Sequence, residues 1–210
     1  MPMQQPRLHD RILDTALQQA EASSWERLHL HTVAEALNIT LDEIRQEFPQ
    51  KDDLVEAWFD RADRTMLAAV RGAGFAYRPV HERLYQVITS WFDALLPHRR
   101  LTREMLRYKL EPGHVHLQVL GIMRISRTVQ WFRESACQDS TGLQRIFEET
   151  VLTAIYLASF ARWLFDDSGD SIRSKTFLDK ALQRWLGNGA VANRHSPAAQ
   201  PTAADQKSGT

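Results

Sequence analysis

The sequence has a single cysteine, Cys137, and can form no internal disulfide. That excludes a small disulfide-stapled secreted scaffold and suits a reducing compartment. It also lacks an excess of either charge: Lys plus Arg and Asp plus Glu number 26 each. Bulk electrostatics therefore select neither a nucleic-acid partner nor a membrane surface. Long apolar runs are missing as well. The most apolar stretch, residues 151–165, contains Arg162 and is too short to span a bilayer. Residues 1–10 carry no apolar segment of the kind a secretory signal needs. Strand-like alternation is absent throughout. The expectation is a cytoplasmic, all-α protein with no transmembrane segment.

What is present is helical periodicity. Leu8, Ile12, Leu13, Ala16, Leu17 and Ala20 fall on one stripe and predict a helix over about 7–23. Shorter helices follow over about 32–37 and 41–48, separated by Asn38-Ile39-Thr40. Asn38 tolerates the left-handed conformation that so tight a turn requires, and Thr40 with Glu43 forms a capping-box pattern. Pro49 breaks the chain, and a long helix from about 50 stops near Gly72 and Gly74. Further helices are expected from Pro79 to Pro97, over 98–110, 114–137, 142–166 and 171–186. Those at 114–137 and 142–166 are apolar over most of their circumference, which predicts burial on several sides. Residues 190–210, rich in Ala, Pro, Ser, Gln and Thr, read as a disordered tail. The division is then 7–51, 52–187 and the tail, about nine helices in all.

Two helices joined by a three-residue turn, with a third packed on them, make a helix-turn-helix unit. The run Thr32-Val33-Ala34-Glu35-Ala36-Leu37-Asn38-Ile39-Thr40, followed by Ile44, Phe48-Pro49-Gln50-Lys51 and Leu54, resembles the TetR family of transcriptional regulators. The resemblance implies a TetR-like fold, with an N-terminal helix-turn-helix domain and a larger C-terminal helical bundle. It further implies a homodimer through helices near 142–166 and 171–186, double-stranded DNA as partner, and a small hydrophobic ligand in the C-terminal domain. A second run, Leu152-Thr153-Ala154-Ile155-Tyr156 with Asp166-Asp167-Ser168 and Thr176-Phe177-Leu178, resembles the lipid-binding accessory proteins of ubiquinone biosynthesis. Those share the fold without binding DNA, so a DNA-free lipid-binding role stands as the alternative.

On the first reading Arg45 and Gln46 reach base edges, Leu41 lies beside them, and Arg11, Thr40 and Lys51 hold phosphates. The outward set of the recognition helix carries three acids, Asp42, Glu43 and Glu47, against one base, Arg45. Residues 7–51 contain five bases and eight acids, which opposes the counterion release that drives DNA affinity. On either reading the ligand site falls among Trp91, Phe92, Met105, Tyr108, Met123, Trp131, Tyr156, Phe160 and Trp163, side chains that equally suit an ordinary core.

Catalysis is not expected, nor a cofactor. His29 and His31, or His114 and His116, lie two apart and diverge on a helix, with no third ligand nearby in sequence. Asp166 and Asp167 are adjacent and point apart, and Gly72-Ala73-Gly74 follows a helix rather than a strand. Cys137 has no base beside it in sequence.

Overall fold

The structure, a computed structural model, describes residues 7–72, 74–110, 115–138 and 142–187, with backbone alone for 110, 115–122 and 186–187. The expected tail at 190–210 and the separator at 111–113 lie outside the described residues. Helices account for the described chain, with no strand among the described residues. They are α1 (Leu8–Ala22), α2 (Leu30–Leu37), α3 (Leu41–Glu47), α4 (Lys51–Ala69), α5 (Val80–Leu95), α6 (Arg99–Leu110), α7 (Val115–Ser135), α8 (Gly142–Trp163) and α9 (Ile172–Leu182).

The local signals act where the sequence places them. Asn38 closes α2 at φ 53° and ψ 47°. That left-handed residue costs Asn less than most side chains, and it turns the chain toward α3. Thr40 accepts a hydrogen bond from the Glu43 amide, while Glu43 accepts from the Thr40 amide, so a capping box opens α3. Gly74, at φ 88°, leads into a short 3-10 turn at Phe75–Tyr77, and α4 itself stops at Ala69. Pro97 sits in a 3-10 turn, Leu96–His98, that joins α5 to α6.

One continuous core runs through the molecule. In α1–α3 it comprises Ile12, Leu13, Leu17, Val33, Ile44 and Phe48. Through Leu54, Trp58 and Met66 of α4 it joins Leu84, Ile88 and Trp91 of α5 and the inner faces of α6 to α9. α4 packs against α1 on one side and against α5 and α7 on the other. With α6, which also packs against α1, it holds the N-terminal unit.

The breadth of apolar surface on α8 is only partly buried within one chain. Among the described side chains of α7, the buried set is Arg124, Thr128, Val129, Phe132, Arg133 and Ser135. On α8, Leu152, Ile155, Tyr156, Ser159, Phe160 and Trp163 face inward. The opposite face of α8 is open: Leu143 is 85% exposed, Ile146 62% and Phe147 63%. For α8, burial on several sides, expected from the apolar circumference, is not met within one chain. A single chain has too few helices to cover both faces.

Candidate functional site

The outward surface of α3 carries Leu41, Asp42, Glu43, Arg45, Gln46 and Glu47, while Ile44 and Phe48 are buried beneath it. All three acids of that surface have partners. Glu43 turns back into the capping box, where the Thr40 amide and hydroxyl both donate to its Oε2, at 2.8 and 2.9 Å. Those hydrogen bonds, the amide foremost, hold its carboxyl below the usual range. Glu47 faces His9 of α1, whose Nδ1 lies 3.4 Å from its Oε2 and whose ring stacks on Phe48. Asp42 accepts from Arg45 through Oδ1 and from Gln46 through Oδ2. The acid excess seen in the sequence is real, but these charges are each directed at a neighbour in the same domain.

Of the residues expected to meet DNA, Leu41, Arg45 and Gln46 share the exposed face of α3, and Arg11 is exposed on α1. Thr40 lies at the start of α3, with its hydroxyl already accepting from one Glu43 group and donating to another. Lys51 requires a correction. Its Nζ donates to the carbonyls of Trp25 at 2.6 Å, Leu28 at 2.9 Å and Glu26 at 3.4 Å, and sits over the Trp25 ring. An ammonium has three protons, and all three are engaged, so Lys51 fastens the loop between α1 and α2 instead of holding a phosphate. Burial lowers its pKa, against the opposing charge of Glu26.

The N-terminal unit is tied to the rest of the chain at two places. At the first, Arg100 of α6 donates to the carbonyl and carboxylate of Glu21 at 2.7 and 3.0 Å, satisfying the C-terminal end of α1. His98 Nδ1 lies 3.2 Å from the same carboxylate, and Glu104 accepts from the Trp25 amide at 2.9 Å. Trp58 of α4 donates to Thr102 of α6 at 2.9 Å.

The second tie runs through α4: its Arg61 donates to Asp14 of α1 at 2.5 Å and lies 3.7 Å from Asp10, while a stripe of carboxylates anchors α4 to α6 and α7. Asp52, Glu56, Asp60 and Asp63 follow i, i+4, i+8 and i+11 and so share one face. Lys109 of α6 lies 3.0 Å from Asp52 and 2.7 Å from Glu56. Arg124 of α7 pairs with Asp60, with Asp63 at 2.8 Å and with Glu56 at 3.5 Å, while Arg127 lies 3.3 Å from Asp60. Lys109, Arg124 and Asp63 are buried. Burial raises the Asp63 pKa, against the Arg124 guanidinium and the Trp91 indole N–H that donates to it at 2.7 Å.

Trp91 is the hub of the aromatic residues. Phe59, Phe92, Phe132, Tyr156 and Phe160 surround it at centroid distances of 5.3 to 6.2 Å, and Trp163 stacks on Phe92 and Phe160. Rings this close are in contact, so a ligand enters among them only by displacing side chains. Five of the expected ligand residues, Trp91, Phe92, Tyr156, Phe160 and Trp163, are thus brought together as packed core. Met105 is buried and Tyr108 half-buried on α6. Met123 and Trp131 are corrected: at 64% and 43% exposed, they lie off the inward stripe of α7, and neither faces the cluster. Shallow depressions open to solvent lie between α1 and α4, beside Arg7, Asp10, Arg61 and Arg64.

Comparison with solved structures decides the family. A TetR transcriptional regulator from Nitrosomonas europaea shares 42% sequence identity, over 87% of this chain and 99% of that one, with a TM-score of 0.77. The chain belongs to the TetR family. Two TetR regulators from Rhodococcus show the same fold at 18% identity, with TM-scores of 0.66 and 0.52 over 87% and 88% of this chain. No family model matches the chain, and no curated protein does. In this TetR-family protein α1–α3 are the helix-turn-helix unit and α4–α9 the larger bundle. Among the described residues no group of His, Cys, Asp and Glu is placed to hold a metal ion, and no helix is long and apolar enough to cross a membrane. Sequence reading missed the α4 stripe, although the four-residue spacing of its acids is visible. It also missed Glu104 and Arg100, whose partners lie about eighty residues away.

Proposed function

We propose that this protein binds a two-fold double-stranded DNA site as a homodimer and releases or engages it in response to a small hydrophobic ligand. The observation that carries the DNA reading is the face of α3. Arg45 and Gln46 project from it with Leu41, on a helix held by a capping box, and each of its acids is directed at a partner inside the domain. Arg11 on α1 supplies a phosphate contact. Dimerisation uses the open apolar face of α8 together with α9, where Ile172 and Phe177 are also exposed, and with Trp185 just beyond it. A second copy of the same face, related by a two-fold axis, buries both. The two recognition helices then meet successive major grooves about 34 Å apart.

Ligand response follows from the two ties. A ligand that spreads the Trp91 cluster moves Asp63 of the α4 stripe and its partner Arg124 of α7, and α4 packs against the helix-turn-helix unit. A ligand that favours one setting of α4 shifts the population toward it, by no more than its difference in affinity for the two settings. The DNA-free lipid-binding reading has no comparable support. Its motif residue Asp166 is engaged as a bracket at the start of α9, accepting from the amides and hydroxyls of Ser168 and Ser174.

A fluorescence-anisotropy titration against the DNA upstream of the coding sequence, repeated from 50 to 300 mM salt, tests the proposal. Binding that exceeds affinity for random duplex by about a thousandfold supports it. Equal affinity for both duplexes at every salt concentration overturns it.

A further inference from the structure

The chemistry of the Asp42 carboxylate reaches beyond charge. Asp42 is the second residue of α3. Its Oδ1 accepts from Nε and Nη2 of Arg45 at 3.4 and 3.3 Å, and its Oδ2 accepts from Nε2 of Gln46 at 2.9 Å. One carboxylate thereby holds the two longest donor-bearing side chains on the exposed face of the recognition helix.

What these bonds leave free matters as much as what they use. Nε and Nη2 are the side edge of the guanidinium. The end-on fork, formed by Nη1 and the remaining Nη2 proton, is unspent, and two parallel donors match the O6 and N7 acceptors on the major-groove edge of guanine. The Gln46 amide gives one N–H to Asp42 and keeps Oε1 and a second N–H. That is the acceptor–donor pair that matches N6 and N7 of adenine. A free Arg side chain in water samples many rotamers, and ordering it on binding subtracts from both affinity and discrimination. Asp42 supplies part of that order in advance and neutralises the charge of Arg45 locally.

We propose that Asp42 is a positioning residue of the recognition helix, through which Arg45 takes a guanine and Gln46 an adenine at neighbouring positions of each DNA half-site. This inference rests on the DNA-binding reading above. Asp42 itself makes no base contact in this scheme.

The test is selection from a pool of randomised duplexes by the full chain, followed by titration of single-base variants of the selected site. The unmodified protein selects a guanine and an adjacent adenine, each replaceable only at about tenfold cost or more in affinity. Arg45→Ala removes the guanine preference alone and Gln46→Ala the adenine preference alone. Asp42→Ala weakens both preferences together, by about twofold each, the size of an exposed intrahelical pair. Affinity for random duplex rises in the same variant, because a negative charge is gone. Asp42→Asn removes the same charge but keeps an oxygen for Arg45, so it raises random-duplex affinity equally and retains the guanine preference.

Selection of a site whose preferences are unchanged in Asp42→Ala overturns the inference and leaves the DNA-binding reading standing. So does loss of the guanine preference in Asp42→Asn as large as in Asp42→Ala, which assigns the effect to charge. Failure of the unmodified protein to enrich any duplex overturns both. Asp42 is exposed, so unchanged thermal midpoints in both variants confirm that folding is not the cause.

Discussion

Single side chains divide here by what they can reach. Lys51 follows a proline turn, in a position that reads as a phosphate contact, yet its ammonium is spent on three carbonyls of the preceding loop. Lys51→Met is expected to lower stability by about 2 kcal/mol in urea denaturation, since carbonyls lose a charged donor. The salt dependence of DNA binding stays unchanged in that variant; a slope smaller by about one would instead mark a lost phosphate contact. Asp166 behaves differently. Burial pushes its pKa up, but the hydroxyls and amides of Ser168 and Ser174 together outweigh that and hold it well below the usual carboxylate range. A depressed carboxylate contributes stability above its unfolded-state pKa and loses it as pH falls through the folded value. Asp63 has the opposite sign, because burial raises its pKa. Its share of stability is present at low pH and declines as pH rises past the ordinary carboxylate value. Acid titrations of stability for Asp166→Ala and Asp63→Asn are expected to differ from the unmodified protein in opposite directions: the first loses its advantage at neutral pH, by about 2 kcal/mol, and the second flattens the decline above pH 4.

At the level of elements, helices α1 to α3 follow from local chemistry. Asn38 in the left-handed conformation, the Thr40–Glu43 box and the buried Val33, Ile44 and Phe48 are each visible as residue types at fixed spacing. The face of α3 was legible only as a composition. Which acid turns toward which partner depended on rotamers and on α1: His9 meets Glu47 only because the two helices pack together. The α4 stripe is the element with the largest energetic stake. Removing one member of a buried ion pair leaves its partner charged and desolvated. Arg124→Met is therefore expected to destabilise the fold by about 3–4 kcal/mol, measured by chemical denaturation. Asp60 and Asp63 lose their buried cation in that variant. Arg127, more exposed, contributes little: Arg127→Ala is expected within about 0.5 kcal/mol of the unmodified protein.

For the whole molecule the proposed dimer rests on the open face of α8. Leu143, Ile146 and Phe147 stand exposed on the same helix as Leu157, and Trp185 is exposed beyond α9. Apolar side chains in such a row mark a surface that another chain covers. Sedimentation is expected to give twice the 24.2 kDa chain mass, and the double substitution Ile146→Asp with Phe147→Asp to return it to the single mass. Loss of two-fold DNA binding accompanies that change. Taken alone, the sequence determined the helical class, the turn geometry at Asn38, the capping of α3 and the family, because each depends on residues within one or two turns of one another. It did not determine which aromatic residues pack together: Trp91, Phe160 and Trp163 pack on one another, while Met123 and Trp131 face outward. Tertiary structure decided that, and it decided the partners of Lys51, Glu104 and Arg124. Burial and pairing between residues tens of positions apart depend on how helices cross. The outward face of a helix records only which residues are present, not what they meet.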